Sequence, residues 1–424
     1  MDNVKETIAH NVHVIKAFAV TLCKWIVCSG ITGIICGLIG SLFFKCIEQV
    51  THFRSENPQI LYLLPFGGLL IVFLYQQTNM KNDKGTNQVI RSIRTTEPVP
   101  FRMAPLIFIS TVITHLFGGS AGREGAALQI GGSLGYSIGK VLKLDEKDVH
   151  IIIMCGMSGV FAALFGTPIT ATIFSMEVIS VGVLYYSAFI PCLATAVLSY
   201  KIASVFGISK EFPPVAVIPE ADAQTILLVA VLAGLCGLLS IIFCLTIHQT
   251  EHLYKKIFSN PYLRVFAGGI ILVALTSILQ TQTYNGAGGH TIIEALQGHA
   301  EPEAFAWKII FTVLTIAAGY KGGEIVPTFF IGATFGNVVG ALLGLDPAFG
   351  AAVGMIAMFC GVVNCPIASL ILGMELFGSD GLILFCITSA ISYVLSGYYG
   401  LYSSQKIVYS KLSPTFINKG TNEH

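Results

Sequence analysis

The chain has 424 residues, of which 54% are hydrophobic and only 11% are charged, and its formal net charge is +1. A soluble domain carries about a quarter of its residues as charged side chains, so this composition excludes a soluble globular protein. The near-neutral charge also gives no indication of a nucleic-acid partner. We therefore expect a multi-pass membrane protein that is surrounded by a lipid bilayer.

The apolar segments are continuous rather than alternating, which predicts spanning helices and not the strands of a barrel. Residues 1–24 lack the pattern of a signal peptide and are interpreted as an amphipathic helix on the cytoplasmic membrane face. The apolar stretches that follow cover residues 25–48, 59–77, 101–117, 124–140, 148–165, 168–206, 223–248, 264–280, 304–319, 325–343, 347–363, 366–377 and 381–400. Several are shorter than the roughly 20 residues that cross a bilayer, so they must end inside the protein.

These stretches divide into two membrane repeats, residues 25–206 and 223–402, which are joined by a linker at 207–222. Residues 403–424 are expected to form a cytoplasmic helix and tail. Lys and Arg concentrate in the polar connections, and the positive-inside rule places those connections and both termini in the cytoplasm. The expected location is the cell membrane.

Three motifs occur twice, in the same order and about 200 residues apart, which indicates an internal repeat. Pro168 and Glu177 have the same separation as Pro366 and Glu375. GREGAALQIGGSLG aligns with GEIVPTFFIGATFG, and GTNQVIRSI aligns with GGHTIIEAL. Chance similarity between glycine-rich membrane helices is the alternative. A half with an odd number of spans places its copy upside down, so we expect an all-α fold of two inverted-topology repeats with broken, tilted helices.

Gly85, Gly122 and Gly323 each precede an apolar helical segment. A helix N-terminus carries about half a positive charge and several unpaired N–H groups, and glycine lets the backbone approach a bound ion closely. Together these segments predict an anion pocket that is built from backbone amides. The lack of a ring of Lys or Arg side chains favours a small anion that must also leave.

Glu124 lies at the start of one of these segments, directly after Arg123. A carboxylate at the mouth of an anion pocket can occupy the pocket itself, and it leaves when it is protonated. One group can therefore couple proton binding to anion movement. The alternative is an ion pair between Arg123 and Glu124 at the helix start, which adjacent positions on a helix disfavour because they point to different faces.

At these residues the chain resembles the CLC family of anion channels and proton-coupled anion antiporters, over nearly its whole length. GREGAALQ is similar to G(K/R)EGP with Ala126 in place of Pro, and GGEIVP is similar to GxFxP with Ile325 in place of Phe. GTNQV stands where the family has GSGIP, and GLYSSQ resembles the segment with the central tyrosine. The resemblance implies that Glu124 is the external gate, that Tyr402 binds the central anion and that Thr86 replaces the inner-gate serine.

The same resemblance implies an anion site with backbone contributions from a further set of residues. This set is Gly122, Arg123, Gly125, Gly323, Ile325 and Val326. For Tyr402, an interfacial aromatic near the end of a span is the alternative, and without the resemblance it would be favoured.

Two departures from the family pattern indicate which anion is transported. Val178 stands where chloride/proton antiporters of the family place an internal proton-handling glutamate, and Glu324 lies inside the GxFxP-like motif. A neutral carboxyl at Glu324 could donate a hydrogen bond to fluoride and carry a proton, features that resemble the fluoride/proton antiporter branch. The alternative is that Glu324 caps a helix start that faces cytoplasmic water.

The expected function is therefore fluoride export in exchange for protons, with a chloride/proton antiporter or a passive chloride channel as alternatives. The resemblance implies a homodimer with a pore in each subunit. The mechanism requires no organic cofactor, and no metal is expected, since the cysteines are interpreted as small buried hydrophobes. An intramembrane enzyme is disfavoured, since it would need a nucleophile–base pair or metal ligands within the spans, whereas His115 and His290 are isolated and HExxH does not occur. Glu177 and Glu375 are interpreted as anchors that bind backbone or face cytoplasmic water, with an inner proton route through Glu177 left open.

Overall fold

The computed structural model describes residues 2–210, 212–215 and 217–422, and in this part of the chain it contains sixteen α-helices and three short strands. The helices are α1 (Asp2–Glu56), α2 (Leu64–Gln77), α3 (Thr86–Ser92), α4 (Met103–Leu116), α5 (Glu124–Val141), α6 (Glu146–Phe165), α7 (Pro168–Glu177), α8 (Phe189–Val205), α9 (Ala223–Ile257), α10 (Pro261–Leu279), α11 (Gly289–Leu296), α12 (Ala304–Ala318), α13 (Ile325–Leu343), α14 (Pro347–Val363), α15 (Pro366–Phe377) and α16 (Leu382–Leu395). The strands are β1 (Ser180–Val181), β2 (Lys406–Tyr409) and β3 (Phe416–Gly420). Seven of the helical segments in the described residues are long and apolar enough to cross a membrane.

The first eight helices and the second eight repeat one arrangement. α5 packs on α6 as α13 packs on α14, and α1 packs on α8 as α9 packs on α16. In addition, α2 contacts its own counterpart α10, and α7 contacts its counterpart α15. Contact between an element and its own copy is what a two-fold axis between two repeats produces. The internal repeat predicted from the sequence is confirmed.

Glycines allow the tightest helix contacts, and they do so at matching positions in both repeats. Gly131 of α5 lies against Gly156 of α6, and Gly332 of α13 lies against Gly354 of α14. A side chain at any of these four positions would overlap the backbone of the neighbouring helix. Such close approach gives membrane helices a packing energy that the hydrophobic effect does not supply within lipid.

α7 and α15 are the short helices that the sequence predicts to end inside the protein. They have 10 and 12 residues, so they are about 15 to 18 Å long, roughly half of a 30 Å hydrocarbon core. Each begins with a proline, Pro168 or Pro366, directly after a residue with non-helical backbone angles. Proline fits this first helical position because it lacks the N–H group that would be unpaired there.

Glu177 and Glu375 each cap the helix of the other repeat. Glu177, at the end of α7, accepts hydrogen bonds from the second and third amides of α15 at 3.2 and 2.8 Å. Glu375, near the end of α15, accepts them from the corresponding amides of α7 at 3.0 and 2.6 Å. These are amides that a helix cannot satisfy by itself. The interpretation of both residues as backbone-binding anchors is confirmed.

Two expected elements differ in the structure. The helix expected over residues 1–24 does not end there, because α1 continues through Glu56 as one helix of 55 residues. No proline or glycine precedes Gly30 to interrupt it. The helix expected within residues 403–424 is wrong: β2 pairs in parallel with β1 and antiparallel with β3. The β-branched pair Ile407 and Val408 favours a strand, and Pro414 interrupts any helix between the two strands.

We predict that Glu375→Ala lowers the stability of the protein in detergent, because two amides at the start of α7 lose their acceptor. A hydrogen bond to a charged group contributes about 1.5 to 3 kcal/mol. Thermal unfolding followed by tryptophan fluorescence measures the effect. Glu375→Gln keeps one acceptor oxygen and should lose less; an alanine variant as stable as wild type would contradict the capping role.

Candidate anion site and vestibule

The starts of α5 and α13 are joined back to back by the glycines that precede them. The amide of Gly122 donates to the carbonyl of Gly323 and the amide of Gly323 donates to the carbonyl of Gly122, both at 2.7 Å. The two residues form an antiparallel bridge between the repeats. A side chain at Gly323 would collide with the first amides of α5. Two positive helix ends therefore meet at one point, which they could do only with glycine there.

The carboxyl group of Glu124 is buried at this point, with 0% of the residue exposed. Its Oε2 accepts a hydrogen bond from the backbone amide of Arg123 at 3.0 Å. Glu124 and Gly125 are the first two residues of α5, so their own amides have no partner within the helix. The carboxylate thus folds back onto the amide-rich helix start.

Arg123 also faces Glu124, at 3.7 Å between Nε and Oε1. The sequence argument disfavoured this ion pair because neighbours on a helix diverge. Arg123, however, precedes the helix with φ −120° and ψ −11°, so its side chain is free of that constraint. The guanidinium lies 4.2 Å from the ring centroid of Phe44, a cation–π contact that holds it in place.

α3 reaches the same region through Thr86, its first residue. Thr86 Oγ1 donates to the carbonyl of Gly125 at 3.3 Å and accepts from Gln129 Nε2 at 3.3 Å. Gly85, directly before it, has φ +57°, a conformation that glycine adopts readily. The three glycine-led helix starts that the sequence singles out are therefore in contact. Gln129 was not predicted, although a lone amide in the apolar helix α5 is a signal for it.

A cavity of about 970 Å³, here called the vestibule, leads to these groups. It reaches Thr86, Gln129, Glu324 and Tyr402. The charged side chains along its wall are the cations Lys81, Lys84, Arg91, Lys255, Arg264 and Lys321 and the acids Asp83, Glu251 and Glu324. Six cations against three acids make the wall formally positive, and a low-dielectric cleft of one sign concentrates ions of the other.

Tyr402 is 3% exposed, and its hydroxyl has no hydrogen-bond partner among the residues that the structure describes. Tyr402 and Glu324 both line the vestibule. A buried hydroxyl left unpaired costs about 1 to 3 kcal/mol. The hydroxyl is therefore available to a ligand that enters from the vestibule.

Glu324 lies at the start of α13 and is partly buried on the vestibule wall. Its carboxyl group lies over Gly125, where a methyl group would be 3.4 Å from Oε2. At the start of α13, all of which the structure describes, the Glu324 side chain makes no capping hydrogen bond. The structure therefore does not support the alternative that Glu324 caps this helix. Ile325 and Val326 follow as the first two residues of α13, both fully buried, and their amides have no partner within the helix.

Asp83 and Lys321 tie two of these segments together, and sequence reasoning did not identify them. Asp83 accepts from the amide of Gly85 at 3.2 Å, and its other oxygen lies 3.4 Å from Lys321 Nζ. Lys321 Nζ is also 4.2 Å from the ring centroid of Tyr75. The pair fixes the start of α3 relative to the loop that carries Glu324.

Comparison with known proteins places this arrangement in a family. Residues 67–397 match the family described as voltage gated chloride channel. The chain therefore belongs to this family of membrane ion-transport proteins, the CLC family, and the fold class predicted from its sequence is confirmed.

Individual relatives share most of the chain. A "Chloride/fluoride channel protein" of Pseudomonas syringae pv. tomato is 32% identical over 397 residues, which are 92% of this chain and 88% of the relative. A proton/chloride exchange transporter of Vibrio vulnificus is 23% identical over 403 residues, covering 87% of this chain and 85% of the relative.

Solved structures share the fold. The crystal structure of a CLC-type fluoride/proton antiporter has a TM-score of 0.88 and 30% sequence identity, covering 91% of this chain and 98% of that one. A slow cyanobacterial chloride/proton antiporter has a TM-score of 0.75 at 19% identity, covering 88% and 94%, which shows the fold alone.

We predict that Gly323→Ala destabilises the protein by about 1 to 3 kcal/mol, because the added methyl group forces the two helix starts apart. Thermal unfolding in detergent measures the loss. Gly289→Ala is the matched control, since nothing lies within 4 Å of a methyl group there. Equal stability of the two variants would show that the bridge tolerates a side chain.

Proposed function

We propose that this protein is an antiporter that exports fluoride in exchange for protons. One observation carries the proposal: two carboxyl groups, Glu124 and Glu324, stand at two helix starts that are joined directly, and the hydroxyl of Tyr402, unpaired in the described residues, shares the vestibule with Glu324. The relatives of at least 30% identity, one named for chloride and fluoride and one for fluoride/proton antiport, support the choice of substrates.

Glu124 acts as the competitor of the anion. Its carboxylate accepts from a backbone amide at the start of α5, so in this state a charged side chain occupies the place of a transported ion. Protonation removes that charge and weakens the hydrogen bond, which frees the amides for fluoride. Deprotonation reverses the exchange. Since one position serves either the carboxylate or fluoride, proton binding to Glu124 and fluoride binding at the amides are coupled.

Glu324 makes the site selective for fluoride and is the second residue that binds a proton. An ionised carboxylate over Gly125 repels any anion at the start of α5, whereas a neutral carboxyl donates a hydrogen bond. Fluoride is the strongest hydrogen-bond acceptor among the halides, so it benefits most from this donor. Val178, fully buried at the end of α7, offers no proton-binding group there. Protons therefore reach Glu324 through the vestibule, which that side chain lines.

The protein is proposed to be a homodimer in the cell membrane, with both termini cytoplasmic and the repeats bounded at residues 25–206 and 223–402. Ile169 and Ile367, beside the prolines of the two half-length helices, are each 46% exposed. The capping carboxylate of Glu375 lies nearby and is partly exposed. A polar cap of this kind is expensive in hydrocarbon, and a second subunit over this face would shield it.

Glu124→Gln should abolish proton movement while fluoride still crosses the membrane, because glutamine is neutral at every pH. The measurement is paired fluoride-electrode and pH recording on proteoliposomes with an imposed fluoride gradient. Glu301→Gln, at an exposed loop position, is the control and should keep coupled exchange. Proton transport that persists in Glu124→Gln would refute the assignment.

Glu324→Leu removes both the titratable group and the donor, so it should uncouple protons as well, and it should lower the ratio of fluoride to chloride flux by about tenfold, the equivalent of one hydrogen bond. The assay compares the initial rates of the two halides in the same vesicles. Rapid chloride flux in the wild-type protein, without proton movement, would favour a passive chloride channel instead. Chloride flux that drives protons would favour a chloride/proton antiporter.

A further inference from the structure

The hairpin of β2 and β3, with residues 421 and 422, returns to the loop that carries Tyr402; we call these residues the tail hairpin. Thr421 Oγ1 donates to the main-chain carbonyl of Tyr402 at 2.6 Å, and the amide of Thr421 donates to the carbonyl of Gln405 at 3.0 Å. Thr421 is only 2% exposed. A buried threonine therefore binds both sides of the loop that presents the tyrosine.

Asn422 extends the contact toward the start of the same loop. Its amide donates to the carbonyl of Tyr398 at 3.1 Å. Its side chain accepts from the amide of Gly400 at 3.2 Å and donates to the carbonyl of Gly400 at 3.0 Å. His248 of α9 lies 3.0 Å from the same carbonyl. The loop is thus held at residues on both sides of Tyr402.

The opposite side of the loop is fixed to the end of α14. The amide of Leu401 donates to the carbonyl of Val362 at 2.9 Å, and Gln405 Nε2 donates to the carbonyl of Val363 at 2.8 Å. Asn364 donates to Gln405 Oε1 at 3.2 Å. α14 and the tail hairpin therefore enclose the loop between them, and without the tail hairpin the carbonyl of Tyr402 would lose the Thr421 hydroxyl.

We propose that the tail hairpin supports the loop that presents Tyr402 and that Thr421 is a positioning residue, which sets the location of the Tyr402 hydroxyl through the tyrosine main chain. The inference rests on the proposed function, in which that hydroxyl binds fluoride. The hydroxyl has no hydrogen-bond partner of its own in the described residues, so its place depends on the backbone beneath it. A binding group that shifts by about 1 Å loses much of its effect.

The test is a double-variant cycle on fluoride transport by the full chain in proteoliposomes. Thr421→Val keeps the shape of the side chain and removes the hydroxyl, and it should raise the apparent KM for fluoride about tenfold. The maximal rate and the ratio of protons to fluoride should stay unchanged. Thr421→Ser restores the donor and should restore the wild-type KM, which a purely structural role would not require.

Tyr402→Phe completes the cycle. If Thr421 acts through the tyrosine hydroxyl, Thr421→Val should have no further effect on KM in the Tyr402→Phe background. Additive effects, or a Thr421→Val variant with wild-type KM, would overturn the positioning role while leaving coupled fluoride transport in place. Loss of fluoride coupling in the wild type itself would overturn the proposed function. If Thr421→Val is not recovered as a monodisperse protein, Thr421→Ala carries the same comparison.

Discussion

The pair of hydrogen bonds between Gly122 and Gly323 is the constraint on which the site depends. Two helix N-termini carry like partial charges and repel each other, so they would not approach without a direct link. The bridge uses the amides of the two glycines, and the amides that follow are the first of α5 and α13, which have no partners within their own helices. The same contact that joins the repeats thus brings the first amides of α5 and α13 close together.

The two halves of the site are alike in backbone and unlike in chemistry. When Gly122 is set on Gly323, Arg123 falls on Glu324 and Glu124 falls on Ile325. One repeat presents its acid as the first residue of the helix, where it folds onto the amides. The other presents its acid one residue earlier, over the first turn of α5. The symmetry of the repeats places the amide donors of α5 and α13 alike. The two acids, Glu124 and Glu324, depart from that symmetry and so have different roles.

Much of this could be read from the sequence, because it depends on spacing within each repeat. The matching intervals from Pro168 to Glu177 and from Pro366 to Glu375 predicted equivalent anchors, and the glycines predicted where helices start. The roles of Gln129 and Thr421 depend instead on contacts between distant segments, which no local pattern specifies. The tail hairpin was missed for the same reason, since β2 finds its partner β1 in the first repeat.

The exchange of caps between α7 and α15 means that neither half of the chain is chemically complete. Alone, each half would have a carboxylate without the amides that donate to it and a helix start without the carboxylate that caps it. Two identical halves could meet both needs by trading ends across a shared axis. In this protein the two halves that exchange caps are joined in one chain. The first half can therefore complete its folding only after the second half has been synthesised.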